Sequence, residues 1–296
     1  MKQLVRKAWE GGIHAILLAC ALLSVLTTFG ILLVLVSESL PFFREVSLWN
    51  FLGPGEWAPE IKRTFSIWPL LAGTLLIAGG ALLLAVPVGM ATAIFLSEYA
   101  AGWMRQVLKP LLEVLAGIPS VVYGYFAVTV LTPAVIKPLF PDAGVFNAAS
   151  AAIVVAIMII PTIASLCDDA FRAVPRSLRE GAYALAATKL EVSTRVVLPS
   201  AISGVVAAVL LGLGRAIGET MAVAMAAGMT PKLTLNPLES VQTLTAAIVK
   251  IATGDTPVGT IEYRTIFVLG LALFLITLGV NLAANRIVGR IREAYE

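Results

Sequence analysis

Charge is what this sequence has least of. Only 13% of its 296 residues are Asp, Glu, Lys or Arg, and 59% are hydrophobic, whereas an ordinary soluble domain carries roughly a quarter of its residues as charges. That shortage excludes a water-soluble globule and points to an integral membrane protein. There is one histidine, His14, at the start of an apolar run, so a histidine-based triad or a histidine-rich metal site has nothing to draw on. We expect no metal. The two cysteines, Cys20 and Cys167, fall in or beside apolar runs, and neither a disulfide nor a redox compartment is inferred. No Gly-x-x-x-x-Gly-Lys-Ser/Thr stretch occurs, so the chain does not bind ATP through a P-loop. The spans hold no nucleophile–base set, which leaves an intramembrane enzyme without support. The net charge of +3 is small and dispersed, which argues against nucleic acid as a partner. Internal repeats, low-complexity segments and a soluble domain are all missing.

What is present is length in apolar runs. A helix crosses the hydrocarbon core with about 20 residues. Six runs are long enough: Ile13–Ser37, Thr64–Ser97, Val114–Ile136, Ala143–Cys167, Ser200–Gly228 and Thr265–Asn285. Lipid offers no partner for backbone polar groups, and continuous runs are helical rather than the alternating strands of a barrel. The expected fold class is therefore all-α with six transmembrane helices. The first run is too long for a signal-peptide core, and "SESLPFF" follows it where a small-residue cleavage site would stand, so it reads as an uncleaved helix. The N-terminus, the 98–113 and 168–199 loops and the C-terminal tail hold 13 Lys and Arg, and the alternate loops hold 7. By the positive-inside rule both termini are cytoplasmic. The bias is not absolute, because the outer 229–264 loop carries three of those seven.

Two outer loops are long. Loop 38–63, with Trp49, Trp57, Pro54 and Pro59, suits an interfacial, partly ordered connection. Loop 229–264 contains "SVQTLTAAIVKIATG", in which Val241, Leu244, Ala247, Ile248 and Ile251 recur at helical spacing, predicting a short amphipathic helix at the outer surface. Packing on the bundle and docking of a soluble partner both fit it.

The longest inner loop reads "RSLREGAYALAATKLEVSTRVVLP" (176–199). Pro175 can open a helix, and Leu178, Ala182, Leu185 and Ala186 form one stripe. Either the helix packs back on its own bundle, or its small-residue face of Gly181, Ala182 and Ala186 admits another protein. The stretch resembles the EAA loop of ABC-importer permeases. Glu180, Ala182, Leu198 and Pro199 match that pattern in type and spacing. Gly181 stands where the pattern has Ala, and Ala186 where it has Gly at the turn between two short helices. "AIFLSEYA" (93–100), "LAGIPSVVYGYFA" (115–127), "LGLGRAIGETMAVAM" (211–225) and "TLTAAI" (243–248) narrow the resemblance to PstC-type permease subunits of the phosphate-specific importer, over roughly residues 65–290.

The resemblance implies a type I ABC importer permease fold. Residues 1–63 would form the tail, first helix and external loop, and 64–296 the transmembrane domain with its coupling loop, 168–199. It implies the bacterial cytoplasmic membrane, a second, PstA-like permease, two cytoplasmic ATPase subunits that use the ATP, and an extracytoplasmic phosphate-binding protein. This chain would need no cofactor of its own. Glu180, Gly181, Ala182, Ala186, Leu198 and Pro199 would form the ATPase contact.

Arg215 and Glu219 lie inside the fifth run, four residues apart and so expected on one helix face. A charge at a helix centre costs roughly 2.5–3.5 kcal/mol, and Arg215, roughly 22 Å from Ser200 at 1.5 Å per residue, lies within the outer half of the core. Mutual neutralisation is one reading. The other, which the resemblance favours, sets Arg215 on a phosphate pathway with its donor fork matched to two phosphate oxygens, and Glu219 holding it. Gly214 and Gly218 beside them allow a helix to approach closely. Pro119, Gly117 and Gly124 interrupt the third run, where Ser120 and Tyr123 offer hydroxyls to an anion. A permease for sulfate, molybdate or phosphonate, and a self-contained carrier with the charged pair as a proton relay, remain open at this point.

Overall fold

The computed structural model describes residues 2–293; the last residues of the termini read above as cytoplasmic, 1 and 294–296, lie outside it. Helix α1 (Lys2–Glu45) begins the chain. A helical turn at Leu48–Leu52 and a two-stranded antiparallel hairpin follow, β1 (Trp57–Ala58) against β2 (Thr64–Phe65), with Trp57 opposite Phe65. Next come α2 (Trp68–Tyr99), α3 (Gly102–Ala116), α4 (Ser120–Leu139), α5 (Ala148–Ala173), α6 (Arg176–Ala184), α7 (Lys189–Ser200), α8 (Ile202–Gly218), α9 (Met221–Ala227), α10 (Leu244–Thr253) and α11 (Ile261–Glu293). Among the described residues five helices are long and apolar enough to cross a membrane, and α7 with α8, bent by 75°, make a sixth when counted as one broken span.

The fifth span differs from its expected form. It is not one helix over Ser200–Gly228 but α8 and α9, separated at Glu219–Thr220 and entered through the bend after α7. The most buried span, α5, sits at the centre with α2, α3, α8 and α9 against it. Close contact there depends on small residues: a side chain on Gly89 of α2 would fall 2.9 Å from Ile163 of α5. Because lipid tails are as apolar as the side chains, such fit, rather than water exclusion, holds the helices together.

Outside this bundle, Phe42, Phe51, Trp57 and Phe65 pack edge to face over Leu244, Ala247, Ile251 and Leu269. The outer connection is therefore ordered: Trp57 is buried, while Trp49 is exposed, as an interfacial residue would be. The amphipathic stretch forms α10 and packs on α11 and α2, with Leu244, Ala247 and Ile251 inward. Both cysteines are free.

Candidate functional site

Helix α8 ends one residue before Glu219, whose backbone is extended (ψ 134°). The expectation that Arg215 and Glu219 share a helix face is thereby corrected. The four-residue spacing crosses a break, and they form no ion pair with each other. The break is held by tertiary hydrogen bonds. The Glu219 carbonyl accepts from Thr245 Oγ1 at 2.7 Å, and its carboxylate accepts from the Ala222 N–H at 3.2 Å, serving the start of α9. Helix N-termini leave amides unpaired and favour such an acidic partner.

Arg215 turns the other way. Its Nη1 donates to Thr162 Oγ1 of α5 at 3.0 Å, and its Nη2 donates to the Ala116 carbonyl at 3.3 Å. Ala116 is the last residue of α3. Pro119, with ψ 134° and no N–H, prevents that helix from continuing, and Gly117 ends it. The last turn closes with tighter bonds, Gly117 N–H to Val114 O at 3.0 Å and Ile118 N–H to Leu115 O at 3.3 Å, and these carbonyls have room for side-chain donors. Tyr123 Oη takes the Leu115 carbonyl at 3.0 Å, and Arg215 takes the next one. A cation at the negative end of a helix is well placed.

Three of the five sequence-singled features of this region thus meet: the third-span break, Tyr123 and Arg215. Tyr123 is buried with its hydroxyl engaged, whereas Ser120 opens α4 half-buried. Glu219 belongs to the adjoining break. Gly124 does not loosen the third span; it lets α9 come close, since a side chain there would meet Met225 Cβ at 2.9 Å and Ala222 Cα at 3.0 Å. Gly214 and Gly218 are exposed, and beyond their own stretch of helix an added Cβ would meet nothing within 4 Å. They border a half-buried guanidinium that forms no ion pair among the described residues. A guanidinium has five N–H donors, and two of them meet protein acceptors here. The arrangement suits capture and release of an oxyanion by charge-assisted hydrogen bonds.

The second constellation is the 168–199 loop. Helix α6 buries no side chain fully. Glu180, Gly181 and Ala186 are exposed, Ala182 half-faces the bundle, and Leu198 and Pro199, also half-buried, lie at the end of α7. Of the predicted stripe only Ala182 turns inward, because Leu178 and Leu185 are exposed. The turn falls at Ala186, with φ 60°. The Ala186 N–H donates to Tyr183 O at 2.9 Å and the Ala187 N–H to Ala182 O at 3.2 Å, the two bonds of a Schellman ending, in which Gly usually takes the left-handed position. The alanine keeps the turn in place at a conformational cost. Ala186→Gly is expected to stabilise this turn by about 1 kcal/mol, read as slower hydrogen exchange of the Ala186 and Ala187 amides.

Arg179 locks α6 to the bundle, a role sequence reasoning missed. Its Nη1 donates to Val174 O at 2.6 Å, and its Nη2 to Phe171 O at 2.7 Å and Glu98 Oε1 at 2.9 Å. Lys189 stands 4.8 Å from the Tyr99 ring centroid, a cation–π contact to the same end of α2. Glu98 and Tyr99 lie in the "SEYA" stretch that carried part of the resemblance, which was the available signal. Ala116 lies in the "LAGIPSVVYGYFA" stretch in the same way, and Thr162 had no signal.

The comparisons agree with this architecture. Residues 85–293 match the family described as binding-protein-dependent transport system inner membrane component. The chain is 37% identical over 266 residues to YqgH of Bacillus subtilis (strain 168), a probable ABC transporter permease, covering 88% of this chain and 85% of that protein. It is 38% identical over 256 residues to the phosphate transport system permease protein PstC of Xylella fastidiosa (strain 9a5c), covering 80% and 77% respectively. Among solved structures, a bacterial alginate ABC transporter in complex with a pentasaccharide-bound periplasmic protein aligns with a TM-score of 0.65 at 18% identity, over 93% of this chain and 94% of that one. The inward-facing MetNI methionine ABC transporter aligns at 0.56 and 18% identity, over 76% and 94%. With its spans, its half-buried arginine and its exposed inner-loop helix, the chain belongs to the binding-protein-dependent transport system inner-membrane component family and has the type I ABC importer permease fold.

Proposed function

We propose that this chain is the PstC-type permease of a phosphate importer in a bacterial cytoplasmic membrane. The observation that carries the reading is Arg215, held by Thr162 and the end of α3 rather than neutralised by Glu219, beside a face of the chain that is open at Gly214 and Gly218. That face meets a second, similar permease, and phosphate passes along the seam. The relative named as a phosphate transport system permease, PstC of Xylella fastidiosa, supports the substrate. Two cytoplasmic ATPase subunits grip the exposed Glu180–Ala186 segment, the end of α6 and its turn, and a phosphate-binding protein delivers its cargo from outside. ATP closure moves the loop and the two permeases rock, with no chemistry on the substrate.

The test is uptake of radiolabelled phosphate by cells that depend on this chain and its partner subunits, with sulfate, molybdate or phosphonate in large excess as competitors. Phosphate uptake is expected to persist. Uptake of one competitor without phosphate would replace the substrate reading and leave the importer assignment standing.

A further inference from the structure

Helix α3 has no buried side chain, although its final carbonyl is one of the two anchors of Arg215. Packing alone therefore does not explain how it is held. The helix it lies on is α5, and the link between them is ionic. Asp168 of α5, whose side chain is fully buried, accepts from Arg105 Nη2 at 2.7 Å and lies 3.5 Å from Lys109 Nζ; Lys109 also pairs with Asp169 at 2.6 Å. Both basic residues belong to α3.

Asp168 lies between two other attachments on the same helix. One turn later, the Phe171 carbonyl accepts from Arg179 of α6. Six residues earlier, or roughly 9 Å along the axis, Thr162 accepts from Arg215. On α3, Ala116 lies roughly 16 Å beyond Arg105. Both helices thus run from the Asp168 contact toward Arg215, joined at one end by Asp168 and at the other by the guanidinium. Helices are stiff along their axes, so a displacement taken up through Arg179 reaches Thr162 directly. It reaches Ala116 only if α3 does not slide on α5. A buried carboxylate between two cations specifies that register, because a slide strands a charge away from water.

We propose that Asp168 is a positioning residue of transport: it fixes α3 to α5, so that movement of the inner-loop helix carries both anchors of Arg215 together. This rests on the reading of that helix as the ATPase contact, though not on the substrate being phosphate.

The experiment uses the full chain assembled with its ATPase in membrane vesicles. With both native cysteines replaced, Ser120→Cys provides one thiol four residues beyond Ala116. Its maleimide labelling rate is compared without nucleotide and with MgATP plus vanadate. The parent chain is expected to show a several-fold difference between the two states. Asp168→Asn is expected to bring that ratio near one while basal ATP hydrolysis persists, and the exchange Asp168→Arg with Arg105→Asp to restore it. A wild-type ratio in Asp168→Asn overturns the assignment, as does a parent chain with no difference. If Asp168→Asn is not recovered in the membrane, Arg105→Gln applies the same criterion at the more exposed partner. Phosphate uptake, measured separately, reports on the substrate: a labelling ratio that behaves as expected without phosphate uptake sinks the phosphate reading alone.

Discussion

Arg215→Met is expected to lower phosphate uptake by roughly 10- to 150-fold, which corresponds to about 1.5–3 kcal/mol of lost hydrogen bonding to a charged group, with normal amounts of assembled permease. The variant keeps the length and apolar character of the stem. It removes the donors to Thr162 and Ala116 and the charge an arriving anion would meet. Arg215→Lys separates the two contributions, since it retains a point charge but loses the planar fork that pairs with two oxygens at once. An intermediate rate is expected for it. Glu219→Gln keeps an oxygen for the Ala222 N–H and removes only the charge, so the break before α9 survives. If Arg215→Lys and Glu219→Gln both carry phosphate at the parental rate while assembled, the pathway role of the pair is gone. A loss of protein from the membrane in Arg215→Met alone would instead assign the arginine to holding the third-span break.

Why the spans were legible and their breaks were not follows from the range of the forces involved. A helix in lipid is dictated locally, by about 20 residues without charge, and the six runs could be read directly. The break at Glu219 has no local cause of that kind. "RAIGETMAV" contains no proline, and Gly218 alone is a weak signal. At the break the Glu219 carbonyl meets the Thr245 hydroxyl, supplied by a segment 26 residues on. Likewise the anchors of Arg215 lie 53 and 99 residues away. An i, i+4 rule applied across that break placed Arg215 and Glu219 on one helix face when they serve different helices. The third-span break was visible because proline acts locally. The inner-loop turn was visible through its resemblance, and the alanine at its left-handed position did not move it. The outer connection was half legible: its tryptophans signalled an interface, but nothing in their spacing indicated that Trp57 would join Phe42 and Phe65 in a buried cluster. The self-contained carrier, which the charged pair alone allowed, falls with the family assignment.

Gly124→Leu is expected to destabilise the chain by about 3 kcal/mol, the upper part of the range for overpacking, seen as a lower midpoint of thermal unfolding for the detergent-solubilised protein. The reason is that the obstacles are parts of a helix and not the flexible end of a side chain. Ala222 Cα, its carbonyl oxygen and Met225 Cβ all lie within 3.1 Å of an added Cβ, so α9 must move as a body. Moving α9 strains the Ala222 N–H that Glu219 caps and the Thr245 contact behind it, and the damage spreads to the region around Arg215. Gly214 supplies the contrast. Beyond its own helix nothing lies within 4 Å of an added Cβ there, and a glycine inside a helix is worse than alanine by roughly 0.5–1 kcal/mol. For the isolated chain Gly214→Ala is therefore expected to be neutral or stabilising. If a second permease closes on that face, a leucine at Gly214 should leave the chain folded yet prevent assembly, as judged by co-purification. The two glycines then divide cleanly: one is required by the fold of this chain, the other by its neighbour. A Gly214→Leu chain that assembles and transports normally would place the permease seam, and with it the phosphate route past Arg215, on some other face.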